Sequence, residues 1–197
     1  MRKTLLVVGL LCGLSLSAQN RDSVLYDAYQ REDMTVWKEY LDTAFLSPLT
    51  SLLSPLLYEY GLCGYMVDRE KDQALPYVQN LKSEIINHKS SLPVGHYEMY
   101  MSAVYVFELR LHESVHPIKA MSLAKEATQL APTDPLVLSY YGTCLFYAPK
   151  PIGSKQEALN WFTKAQTYFK GEEWRFCWVR EANEMYIGQC KEKLKMH

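Results

Sequence analysis

The most pointed chemistry in the chain is the run His112, Glu113, Ser114, Val115, His116, which spells His-Glu-x-x-His. On one helix the two imidazoles, four positions apart, would reach a single zinc ion while Glu113 activated its bound water, the arrangement of a zinc-dependent hydrolase. The setting argues against that use. Pro117 follows directly and disfavours helical geometry at His116, so the second histidine is expected at a helix end or in a turn. A catalytic zinc site generally takes three protein ligands and keeps one open position. No histidine follows until His197, and Glu126 lies nearer than the glutamate that a second helix usually supplies. Incidental helix-end histidines are the preferred reading, and metal-dependent hydrolysis stands as the alternative. No Gly-rich phosphate loop, Gly-x-Ser-x-Gly elbow or spaced cysteine metal motif occurs in the sequence. We therefore assign no catalytic residue, cofactor or metal.

The aromatic residues carry more information than the ionisable ones, because 15 Tyr and 4 Trp supply large surfaces with polar handles. Trp174, Phe176, Trp178 and Tyr186 crowd the end of the sequence, with Arg175 and Arg180 among them. At helical spacing Trp174 and Trp178 share a face, which would either cap the fold or receive a partner. A second cluster, Tyr97, Tyr100, Met101 and Tyr105, is either core or an inner binding face. The candidate partner-binding residues are thus Tyr97, Tyr100, Tyr105, Trp174 and Trp178.

These residues need a folded frame, and 48% apolar and 13% aromatic content is ample for one. The first stretch reads separately: Arg2 and Lys3 precede an apolar run from Leu5 to Leu16 that ends in Ser17 and Ala18, the layout of a secretory signal peptide. Residues 1–18 are expected as a leader and 19–197 as a single helical domain acting in the periplasm or outside the cell. No later run has the length of a transmembrane helix. Without its leader the chain loses two of 21 basic residues and keeps all 22 acidic ones, for a formal charge of −3. Such a chain has no electrostatic reason to seek nucleic acid or an anionic membrane. Four cysteines remain, Cys63, Cys144, Cys177 and Cys190, and burial as small hydrophobes is preferred over any particular disulfide.

Proline and glycine punctuate helical patterns along the rest. Ser23 is expected to cap a first helix and Asp33 a second carrying Val36, Trp37, Tyr40, Leu41 and Phe45. Pro55 sits at the start of a third that closes at Asp68 or Arg69. Ala74, Tyr77, Val78, Leu81 and Ile85 form one side of a fourth, with Pro76 complicating its first turn. Further helices are expected from about Gly95 to Glu113, from Pro117 to Leu130, from Pro135 to about Tyr147 after an Asp134 cap, and to about Phe169 after Ser154 and Glu157 at capping-box spacing. A last helix is expected from Glu173 to Lys195.

Leu138, Tyr141, Gly142 and Leu145, followed by Ala158, Phe162 and Ala165, resemble the tetratricopeptide repeat, in which small residues admit a neighbouring helix and an aromatic side chain fills the space between. Ala120, Ala124, Ala127 and Pro132 resemble the second helix and terminator of a preceding repeat, and Gly61, Tyr65 and Ala74 a more degenerate one. Ile187 with Gly188 would begin an unpaired final helix. The loop Tyr147, Ala148, Pro149, Lys150, Pro151, Ile152, Gly153 is similar to that of exported tetratricopeptide proteins common in Bacteroidetes. The resemblance implies an all-α fold, a right-handed α-solenoid of antiparallel helix pairs with degenerate repeats. It also implies a non-catalytic module that engages a protein or extended peptide; separately, exposed Trp or Tyr rings on an exported protein leave glycan binding as a further alternative.

Overall fold

The computed structural model describes residues 21–44, 53–113 and 117–195, and all regular structure among them is helical. The leader expected at 1–18 and His116 lie outside the described residues. Helix α1 covers residues 21–30. It is followed by α2 (Met34–Ala44), α3 (Leu53–Arg69), α4 (Lys71–Asn87), α5 (His96–Arg110), α6 (Pro117–Leu130), α7 (Pro135–Tyr147), α8 (Lys155–Gln166) and α9 (Trp178–Lys195). None of the described helices is long and apolar enough to cross a membrane.

The starts of these helices follow from local chemistry. Asp33 accepts from the Thr35 amide at 3.3 Å at the head of α2. Asp134 accepts from the Leu136 and Val137 amides at 2.9 and 3.1 Å, and Pro135 fills a first position that needs no donor. Ser154 Oγ accepts from the Glu157 amide at 3.2 Å. The Ser154 amide donates to the Leu145 carbonyl at 3.2 Å, so the Glu157 side chain is not needed to complete the box. Ser23, expected as a cap, lies inside α1 instead. Pro76 sits well inside α4 and is exposed, so water can reach the carbonyl it leaves without a helical donor.

Two helix ends share one closure. At α1 the Glu32 amide donates to Tyr29 at 3.0 Å and the Asp33 amide to Ala28 at 2.9 Å. At α5 the His112 amide donates to Leu109 at 3.1 Å and the Glu113 amide to Glu108 at 2.9 Å. Both are Schellman closures, in which one residue takes the left-handed conformation and glycine is the usual occupant. Here Glu32 (φ 55°) and His112 (φ 65°) hold that position.

Successive helices pack on one another from α2 to α9, and smaller contacts between helices two apart join α3 to α5, α5 to α7 and α7 to α9. The α7–α8 contact is built as its spacing predicts. Leu138, Ala158, Phe162 and Ala165 are fully buried, and a methyl group at Gly142 would lie 2.8 Å from two ring carbons of Phe162. Only glycine lets the ring approach so closely. Ala120, Ala124 and Ala127 are likewise buried along α6.

The last stretch departs from its expectation. A short 3-10 turn, Glu172–Trp174, precedes α9, and Cys177 lies before its first residue. Gly188 falls in the middle of α9, where it begins nothing and a Cβ would meet open space. Cys63 and Cys190 are buried, Cys144 and Cys177 half-buried, and all four are free thiols. Burial raises the pKa of each, that of Cys144 to about 12.

Candidate functional site

The zinc motif does not lie on one helix. α5 ends at Arg110, and His112 is the left-handed residue that closes it, so the shared face assumed for two imidazoles four positions apart does not form. His112 Nε2 lies 3.1 Å from Lys71 Nζ, a cationic neighbour. Among the described residues no three His, Cys, Asp or Glu side chains are grouped to hold a metal ion.

The three candidate tyrosines of α5 separate into two environments. Tyr100 is fully buried, with its ring centroid 6.0 Å from that of Tyr60. Tyr60 on α3 also meets Phe107 of α5, Tyr140 of α7 and Trp178 of α9, at 5.9, 6.1 and 5.8 Å. Facing rings of α3, α5, α7 and α9 therefore converge on one tyrosine. Burial, then the nearby Tyr60, Asp134 and Cys177, pushes the Tyr100 hydroxyl well above its ordinary pKa, and this hydroxyl has no hydrogen-bond partner among the described residues. Tyr140 is better satisfied. Ser102 donates to the Ala120 carbonyl at 2.6 Å and lies 2.9 Å from the Tyr140 hydroxyl, which ties α5, α6 and α7 together.

Tyr97 and Tyr105 are half-exposed instead, and lysines cover them. Lys89 Nζ lies 4.1 Å from the Tyr97 centroid, and Lys119 and Lys82 lie 4.8 and 5.7 Å from that of Tyr105. Such geometry is attractive because the ring face is electron-rich. Lys82 also donates to the buried Glu108 at 2.8 Å. The Tyr105 side chain holds the Lys119 ammonium above its usual pKa. Eight residues of helix separate the two tyrosines by about 12 Å along the axis. They form a strip on α5 bordered by lysines of α4, α6 and the Lys89–Ser91 turn, with Glu98 as a carboxylate on the same helix.

Trp174 and Trp178 do not share a face, because the chain breaks between them. Trp174 packs edge-on against Phe169 at 5.2 Å. Trp178 packs between Tyr29, Trp37 and Tyr60 at 5.8, 6.0 and 5.8 Å, and its buried indole N–H has no partner among the described residues. Gly61 makes room for both indoles: a methyl there would lie 2.6 Å from Trp37 and 2.9 Å from Trp178. Sequence reasoning missed this seam entirely, since Tyr29, Trp37, Gly61 and Trp178 are scattered through the chain.

One buried dyad stands near the head of α5. His96 donates to Asp134 at 2.9 Å while Asp134 also caps α7. Burial alone would raise the Asp134 carboxyl, but hydrogen bonding and charge from His96 and the Val137 and Leu136 amides outweigh it and hold the carboxyl below its ordinary range. The dyad joins the head of α5 to the head of α7.

Comparison with protein-family models, curated proteins and solved structures finds no match to this chain.

Proposed function

We propose that the chain is a non-catalytic binding or assembly module acting outside the cytoplasm, built as a right-handed solenoid of degenerate tetratricopeptide-like pairs. The pairing of α5 with α6 and α7 with α8, the contacts among alternate helices and the Gly142–Phe162 fit support that architecture. The leader-like pattern at residues 1–18 supports the compartment.

The single observation that carries the binding role is the strip on α5. Tyr97 and Tyr105 pack one side against the core and present half-exposed rings about two turns apart, each with a lysine ammonium over its face. An extended segment of a partner protein would lay apolar side chains on the rings and direct carbonyl or carboxylate oxygens to Lys89 and Lys119. Tyrosine suits that task because its large rigid ring loses little rotamer freedom on binding. Tyr100, fully buried on the same helix, supports the strip from within the fold and does not touch the partner.

The test is selection of peptides from a random display library against the intact chain, followed by calorimetry. Changing Tyr97 and Tyr105 together to Ala should weaken the selected peptides at least tenfold with a melting temperature within a few degrees of the parent. Peptides that bind the double variant equally well would remove the strip from the account.

A further inference from the structure

Helix α1 is fastened to parts of the chain far from it in sequence. Leu25 and Ala28 are buried, and the Trp37 indole N–H donates to the Leu25 carbonyl at 2.8 Å. The Tyr29 ring stacks 6.0 Å from Trp37 and lies 5.8 Å from Trp178, while Tyr26 lies 6.0 Å from Phe176. The Tyr26 hydroxyl donates to Glu181 at 2.8 Å, and the Gln30 amide donates to the same oxygen. Residues of α2, the segment before α9 and α9 itself thus form a seat for one amphipathic helix.

The link between α1 and its seat is short and conformationally costly. Arg31, Glu32 and Asp33 are all exposed, and Glu32 adopts a left-handed backbone that disfavours any side chain with a Cβ. An ion pair from Arg69 to Glu32 at 3.7 Å is highly exposed and contributes little against that cost. If residues 31–33 extend, the strain is released and α1 leaves its own seat. The emptied seat would expose the Trp37 and Trp178 indoles, and a helix this short is marginal alone in water. The occupant whose side chains match the seat is α1 of another copy. A strained short hinge next to a separable element is the setting in which identical elements are exchanged between protomers.

We propose that the α1 seat is an interaction surface for a second copy of this chain, filled by reciprocal exchange of α1 about the hinge at residues 31–33. Each contact made by α1 is then kept, but between chains. The exchanged dimer differs from the closed monomer chiefly in the backbone of the hinge.

Two substitutions at one position push the equilibrium in opposite directions in the full chain. Glu32→Gly accepts the left-handed conformation and favours the closed monomer, whereas Glu32→Pro fixes φ near −65° and forbids it. Both lose the Arg69 ion pair, and Glu32→Pro also removes the amide that donates to Tyr29 in the closed turn, so their difference reports the closed hinge as a whole. Light scattering during size-exclusion chromatography should give a dimer dissociation constant at least tenfold lower for Glu32→Pro than for Glu32→Gly. Hydrogen exchange in the Glu32→Pro dimer should show amides of α1 and the first turn of α9 as protected as in the parent chain. A Glu32→Pro chain that stays monomeric would overturn the exchange, whether α1 is protected or not. A dimer with unprotected α1 would overturn it too, because another surface would then hold the copies together. Peptide binding to the Tyr97 and Tyr105 strip is read separately and does not decide this outcome.

Discussion

The α7–α8 pair and the seam joining α1, α2, α3 and α9 solve one packing problem with partners drawn from different ranges of sequence. In the pair, Gly142 admits the ring of Phe162, twenty positions further along. At the seam, Gly61 admits the indoles of Trp37 and Trp178. Both use a missing Cβ to bring a helix backbone against an aromatic face. The pair is a local unit that stacks on its neighbour, while the seam ties the two ends of the described chain to α3. One glycine thus joins two helices adjacent in sequence, and the other joins the two ends of the described chain.

The comparison breaks most visibly if either aromatic side chain is removed. Phe162→Ala and Trp37→Ala each empty a fully buried site and should cost about 3–5 kcal/mol in denaturant melts. A Trp37→Ala cost under about 1 kcal/mol would mean the seam contributes little to the fold.

A charge effect of comparable size sits two residues from Gly61. Glu59 is buried with Asn80 donating to one oxygen at 2.7 Å and the other oxygen without a partner among the described residues. Burial, opposed by the Asn80 bond and assisted by Glu84, raises its pKa to about 7. The folded chain therefore keeps a proton that the unfolded chain releases, and stability falls as pH rises from the ordinary carboxyl range through about 7. Glu59→Gln keeps an acceptor for Asn80 and should be more stable than the parent at pH 8 by up to about 3 kcal/mol, with the difference vanishing near pH 4. Asp134 acts in the opposite sense: its stabilisation is present above the ordinary aspartate range and is lost as acid protonates it. A Glu59→Gln difference that does not vary with pH would contradict this account.

Crowding the two glycines gives a smaller cost. Gly61→Ala and Gly142→Ala should each lose about 1–3 kcal/mol by overpacking, measured by the same melts. The smallest effect runs the other way: His112→Gly relieves a left-handed histidine and should gain about 1 kcal/mol. Destabilisation by that change would mean the histidine holds the end of α5 through its side chain.

The difference between pair and seam is also the difference in what the sequence discloses. Asp33, Asp134 and Ser154 announce their helices because a cap acts within three residues of itself. Gly142, Ala158, Phe162 and Ala165 are legible because their spacing follows helical periodicity across one connection. The α5 strip was half legible. Tyr97 and Tyr105 stand out in the sequence, but nothing in it brings Lys82 or Lys119 onto the rings. Trp174 and Trp178 mislead, since continuous helical spacing puts them on one face. The turn at Glu172–Trp174 instead sends one to Phe169 and the other to the seam. That break answers to Tyr26, Tyr29 and Trp37, which no local pattern connects to position 178.

The most direct test of the shared device is hydrogen exchange on the two glycine variants under identical conditions. Gly61→Ala should deprotect α1, α2 and the first turn of α9 while α7 and α8 keep the parent's protection, and Gly142→Ala should do the reverse. Equal loss across all helices in both variants, or an α1 unaffected by Gly61→Ala, would contradict the claim that a second glycine joins the two ends of the described chain.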